Sequence, residues 1–218
     1  MNPQRWPQRL KPGRILDRLR HRYERLLQRN RVVFFRCDPS GDDAAASLQL
    51  VEADARLIEQ WRSESGFPWP DAGECARRCA EGHRLYALTA DGRPCCYGWA
   101  GRLQTFWLEE LRQSCSLGSP MTWIWDCVTP AALRNHGHYT AFLRALRHRF
   151  RDRDLIIFCH AMNHVSYRAI LRAGFRTWSI VTQSPRGTAV RFLDQRFGQD
   201  LHPQAIVRSP QTGATAST

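Results

Sequence analysis

Lysine is almost missing from this 218-residue chain. Lys11 is the only one, so the net charge of +12 rests on arginine. No run of 18 apolar residues occurs, which leaves no candidate for a membrane-spanning helix. The charged N-terminus is not followed by an apolar stretch, so no secretory signal is expected and a cytoplasmic protein is. No internal repeat is present, which excludes solenoids and propellers. Paired cysteines at zinc spacing are also lacking. Cys75 and Cys79 stand four apart with no second pair, Cys95 and Cys96 are adjacent, and Cys127 and Cys159 sit in apolar runs. Free thiols without a metal are the expectation.

Arginine forks around phosphates and carboxylates more effectively than lysine does. An excess of it suits a polyanionic cofactor, nucleic acid or an anionic membrane, and also arises from genome composition. Charge alone selects none of these. No groove-reading or base-stacking motif is found, so nucleic acid is not an expected partner.

Three regions emerge. Residues 1–30 form an N-terminal extension. Its segment from Arg14 to Asn30 sets Ile15, Leu16, Leu19, Tyr23, Leu26 and Leu27 at helical spacing against a row of arginines. Such a basic amphipathic helix packs on the domain or contacts an anionic membrane surface peripherally. Residues 31–193 carry the regular elements. Residues 194–218 are polar and aperiodic and are expected to be disordered.

Within the middle region the spacing predicts a strand over 31–37, helices over 48–61 and 71–81, and a hairpin of 84–89 with 95–102 around Asp91-Gly92. Residues 103–121 show no clear pattern, although 105–108 can extend the sheet. Then come a strand over 122–129, a Gly-containing turn at Arg134–Tyr139, a helix from His138 to Arg151, a strand over 154–160 and a helix from Asn163 to Gly174. Strands over 176–183 and 189–193 close the order. The fold class is α/β (α+β): a mixed, mostly antiparallel central sheet with helices on both faces. Alternation along the strand at 122–129 puts Trp123, Trp125 and Cys127 on one face and Thr122, Ile124, Asp126 and Val128 on the other.

The strand–turn–helix at 122–151 carries the chemistry. The first amides of a helix have no partner inside it, and the helix dipole adds to their pull on an anion. Gly137 lets the backbone come close to a ligand or take a positive φ, and Arg134 adds charge. A phosphate-bearing cofactor is the expectation.

The motif Arg134-x-x-Gly137-x-Tyr139, with Val128-x-Pro130 upstream, resembles the pyrophosphate loop of the GNAT superfamily, the acetyl-CoA-dependent N-acetyltransferases. A second motif is similar to that family's as well: Asn163, Ser166 three residues on, and Gly174-Phe175 beyond it. The resemblance spans about residues 31 to 193. It implies an acyltransferase that moves an acetyl or other acyl group from acyl-CoA to a primary amine by direct attack. It implies that amides of Asn135, His136, Gly137, His138 and Tyr139 hold the pyrophosphate, with Arg134 nearby. It implies that the strand edge at Cys127 and Val128 pairs with pantetheine, and that Asn163 and Ser166 flank the cofactor.

The chain departs from the family pattern at two places. Tyr139 stands where the family has a small residue, and Ile170 where many members have a tyrosine acid. Tyr167 is the candidate replacement acid, and Asp126 the candidate base, with a salt bridge as its plainer role. Glu109 and Glu110 are candidates to line the acceptor pocket, and Trp99, Trp107, Trp123 and Trp125 to wall it or fill the core. His136, His138 and His160 lie near the same elements. The acceptor amine and the oligomeric state are not readable. Two other readings stand beside this one: an acyl-CoA-binding module without turnover, and a basic adaptor for nucleic acid or a membrane surface.

Overall fold

The computed structural model describes residues 31–37, 48–65, 67–108, 110–111, 113–184, 187–193 and 201–203. The expected helix at 14–30, the loop after Cys37 and most of the tail lie outside these residues.

A nine-stranded sheet runs through the molecule. Its strands are β1 (Arg31–Cys37), β2 (Gln49–Ala53), β3 (Arg84–Ala90), β4 (Arg93–Leu108), β5 (Gln113–Val128), β6 (Leu155–His160), β7 (Arg176–Ser184), β8 (Gly187–Phe192) and β9 (Leu201–Pro203). The order is β2-β3-β4-β5-β6-β1-β7-β8, with β9 on β5. Only β5 and β6 are parallel; every other pair is antiparallel. Among the described residues four α-helices accompany it: α1 (Ala55–Ser65), α2 (Ala72–Ala80), α3 (His138–Arg149) and α4 (His164–Arg172). A mixed α+β sheet with helices on both faces is therefore the architecture.

β1 lies in the middle of the sheet, and its alternation explains why nearly every residue is apolar. Val33 and Phe35 meet Phe142, Leu143 and Leu146 of α3 and Ile170 of α4 on one face. Val32 and Phe34 meet Trp123, Ile156 and Trp178 on the other. That second face is shared by a third cluster, in which Ile58 and Trp61 of α1 and Cys75 of α2 cover Leu85 and Trp99. Phe142, Leu143 and Leu146 are fully buried, and each such side chain stabilises the fold by roughly 1.5–3 kcal/mol.

Three expectations need correction. The expected helix over 48–61 is a strand followed by a helix. Leu50 and Val51 belong to the edge strand β2, paired with β3. Asp54 then starts α1 by accepting the Leu57 amide at 2.8 Å. The unreadable stretch at 103–121 is the far half of a long hairpin, β4 with β5. Gly118 and Pro120 obscure it in the sequence because they sit where the register shifts between Leu103 and Thr105. Leu201–Pro203, within the tail expected to be disordered, pairs with Cys115–Leu117.

Candidate active site

The site begins with a strand pair that comes apart. β5 and β6 pair only from Thr122–Ile124 to Leu155–Ile157. Past these residues β5 keeps its bonds to β4, while β6 keeps its bonds to β1. A gap opens between them. The cause is a bulge. Trp125 faces Trp99 and Val128 faces Tyr97, so two residues of β5, Asp126 and Cys127, oppose the single Gly98. Asp126 takes a left-handed φ of 46° to form it. Gly98 makes the bulge possible, since a Cβ there would lie 2.8 Å from Cys127 Sγ and 3.0 Å from the Phe142 ring.

The bulge also breaks the two-residue alternation. Cys127 was expected on the face of Trp123 and Trp125, and Asp126 on the face of Ile124. The extra residue exchanges them. Cys127 packs with Ile124 beneath α3, and Asp126 joins Trp123 and Trp125 on the opposite face. Val128 moves too, packing beside Trp125 and Trp99. Consecutive residues at the split therefore border two different clefts.

The cleft beneath α3 and α4 has a volume of about 770 Å³. Cys127, Val128, Arg134, Asn135, Gly137 and His138 border it, as do Tyr139, Asn163 and Ser166. Nine of the ten residues expected to hold the cofactor are thus brought together, and His136 alone is not on the lining. Gly137 caps α3 with a φ of 80°, no side chain caps that end, and no acidic residue occupies its first turn. A Cβ on Gly137 would meet nothing within 4 Å. The first-turn residues Gly137, His138, Tyr139 and Thr140 border the cleft, and no side chain caps their amides. Arg134 is steadied by donating from Nε to the Thr129 carbonyl at 3.1 Å. Arg172 also borders the cleft, and among the described residues no carboxylate does. Asn163 caps α4, accepting the Ser166 amide at 3.1 Å.

Tyr139 does not seal this space. Its ring leans on the core beneath α3, and the Cys127 thiol donates to the Trp125 carbonyl at 3.9 Å. Burial raises the Tyr139 hydroxyl and the Cys127 thiol well above their ordinary values, so both stay protonated at neutral pH. Burial also lowers His138, with His136 adding to the shift.

The second cleft, about 590 Å³, lies over the other face of the split. Trp123, Trp125 and Phe158 form its floor, Phe106 and Trp107 one wall, and α2 the other. Its carboxylates are Glu74, Glu81, Glu110 and Asp126. Asp126 accepts from Arg78 at 2.7 Å. Glu74 accepts from Arg77 and Arg78, which hold it down to about 2. His83 stands edge-on to Trp125, with ring centroids 5.1 Å apart. Burial lowers its basicity more than nearby Glu81 raises it, so the imidazole is neutral at pH 7.

The two candidate catalytic residues fare differently. Asp126 reaches the split, although its carboxylate is already paired with Arg78. Tyr167 does not border either cleft. Its ring packs on Phe35, and its hydroxyl lies 3.4 Å from Thr177 Oγ1. The physical reason is helical phase: four residues past Asn163, Tyr167 turns toward the sheet. Ile170 is wholly buried. Of the remaining candidates, Glu110 and three of the four tryptophans border the acidic cleft, and Trp99 is core. Glu109 lies outside the described residues. His160 accepts the Met162 amide in a local turn. Sequence reading missed His83, Arg78 and Arg172. The only available signal for the first was a histidine directly after the Gly82 helix stop.

All eight cysteines are free thiols, and among the described residues no cluster of three or more His, Cys, Asp or Glu could hold a metal ion. No helix among them is long and apolar enough to cross a membrane.

No protein-family model matches the chain, and no curated protein matches it significantly. Similar solved structures include a protein from Novosphingobium aromaticivorans assigned as a GNAT-family acetyltransferase, at 13% identity and a TM-score of 0.47 over 81% of this chain and 66% of that one. A GNAT-family acetyltransferase from Colwellia psychrerythraea gives 12% identity and a TM-score of 0.46 over 72% and 58%. A predicted acetyltransferase from Clostridium acetobutylicum, solved with acetyl-CoA, gives 12% and 0.39 over 59% and 90%. The chain spans less than two thirds of the first two proteins.

Proposed function

We propose that the protein is an acyl-CoA-dependent N-acyltransferase acting by direct attack. One observation carries this reading. The bulge at Asp126–Cys127 sets a basic, amide-lined cleft and an acidic, aromatic cleft on opposite faces of one gap in the sheet. A polyanionic acyl donor suits the first and an ammonium the second.

Acyl-CoA, when bound, supplies an activated thioester whose acyl carbon is taken by the amine nitrogen as the C–S bond breaks. The chain's own residues do the rest. The amides at the start of α3, with Arg134 and Arg172, hold the diphosphate. The β5 backbone beyond Ile124, unpaired on its β6 side, offers hydrogen bonds to an extended chain lying along it. His83 takes the ammonium proton, since its imidazole is neutral while Asp126 is held by Arg78. Tyr139, which borders the donor cleft, protonates the departing thiolate in place of Tyr167 and is reprotonated by the second proton that the nitrogen gives up on becoming an amide. Positioning across the gap supplies much of the rate.

Titration of the full chain with acetyl-CoA, followed by CoA thiol release across a panel of amines, tests this. Micromolar binding with amine-dependent release is expected. No binding overturns it. A binding module without turnover is favoured by Ile170 and by the turned-away Tyr167. It predicts binding with no release for any amine. The adaptor reading rests on the helix at 14–30, outside the described residues.

A further inference from the structure

We infer that the acceptor is a cationic amine on a flat apolar body, in the simplest case an arylalkylamine, and that the cleft over Trp125 disfavours amines that carry a carboxylate or phosphate. This inference rests on the acyltransferase reading.

The charge in the cleft opposes the charge of the chain. Among the described residues four carboxylates border it, Glu74, Glu81, Glu110 and Asp126, against two guanidiniums, Arg77 and Arg78. The excess is two negative charges in a protein of net +12. Both arginines are already committed. Arg77 bridges Glu74 and Glu81 at 2.7 and 2.6 Å, and Arg78 bridges Glu74 and Asp126 at 2.6 and 2.7 Å. Glu110 has no ion-pair partner among the described residues, so it is the carboxylate left for a ligand cation. Among the described residues, an anionic substituent would find no uncommitted guanidinium there.

The apolar part of the cleft fixes the shape. Trp107 is 49% exposed, unusual for a tryptophan, and it stands at the cleft wall. Phe106 and Trp123 pack against each other with ring centroids 3.8 Å apart and planes tilted by 43°. Trp125 continues the surface toward the gap. A flat body gains area and ring contact on such a surface, and a cation gains from the ring faces. Acylation removes the ammonium charge, so the product loses its attraction to the cleft and departs.

The test uses tryptamine and tryptophan, which share ring and amine and differ by one carboxylate. With full-length protein and acetyl-CoA, kcat/KM for tryptamine should exceed that for tryptophan by about tenfold or more. Glu110→Gln should raise the tryptamine KM by about fivefold while the acetyl-CoA Kd stays unchanged. Equal turnover of tryptophan or glucosamine 6-phosphate, or an unaltered KM in Glu110→Gln, overturns the inference. Calorimetry of tryptamine against tryptophan without acetyl-CoA reads the cleft separately. If acetyl-CoA fails to bind, the donor reading falls, while the preference for tryptamine still stands or falls on this measurement.

Discussion

Replacing Gly137 separates backbone strain from blockage of the donor cleft. Gly137 sits at φ 80°, where an L residue is strained, yet a Cβ there touches nothing. The stability cost of Gly137→Val is therefore conformational and not steric, on the order of 1–2 kcal/mol. For a chain of this size that lowers Tm by about 2–8 °C. The effect on ligand binding is larger, because the new side chain stands in the open space before the α3 amides. Losing one charge-assisted bond from an amide to phosphate costs roughly 1.5–3 kcal/mol, or about tenfold to a hundredfold in Kd. Gly137→Asn is the control for strain, since asparagine tolerates this region and Asn135 already holds a φ of 67° two residues earlier. Thermal melting should rank Gly137→Asn near the parent and Gly137→Val below it. Acetyl-CoA calorimetry should show both variants weakened. An acetyl-CoA Kd within twofold of the parent in both would refute the claim that these amides hold the donor.

Gly98→Ala pushes a Cβ against Cys127 and the Phe142 ring, so it should cost about 1–3 kcal/mol by chemical denaturation and weaken acetyl-CoA binding through the displaced bulge. Phe142→Ala removes a fully buried ring under the donor cleft, and a loss of about 3–5 kcal/mol is expected from urea unfolding. His83 and His138 both titrate below their ordinary value of 6.5 in the folded chain, so the unfolded chain takes up more protons as pH falls. Their contribution is complete above 6.5 and is lost as pH drops through the folded values; His83→Gln should flatten that slope in melts between pH 7 and 5 and remove an acid limb from the rate profile. Arg134→Ala with Arg172→Ala should weaken acetyl-CoA at least tenfold and reduce the salt dependence of its Kd.

The elements with one clear period were legible from sequence. α3 follows from Phe142, Leu143 and Leu146, β1 from its unbroken apolar run, and the β3–β4 hairpin from Asp91-Gly92. Local chemistry misled where two periods abut. Leu50 and Val51 fit a helix that continues to Trp61, and only the Asp54 cap marks the change from strand. The donor cleft could be assembled because its residues come from two short contiguous motifs. The acidic cleft could not, since α2 with His83, Glu110 and Asp126 are apart in the chain and meet only through the β4–β5 hairpin. The face exchange at Asp126 and Cys127 was hidden for a different reason. A bulge depends on Gly98 in the partner strand, and alternation within β5 carries no trace of it.

Hydrogen exchange of the full chain with and without acetyl-CoA tests the central claim most directly, because it reads individual backbone segments. The account predicts slowed exchange at Trp125–Val128 and at Gly137–Thr140, with the paired segment Thr122–Ile124 unchanged. Saturating acetyl-CoA that leaves both segments exchanging as before would contradict it.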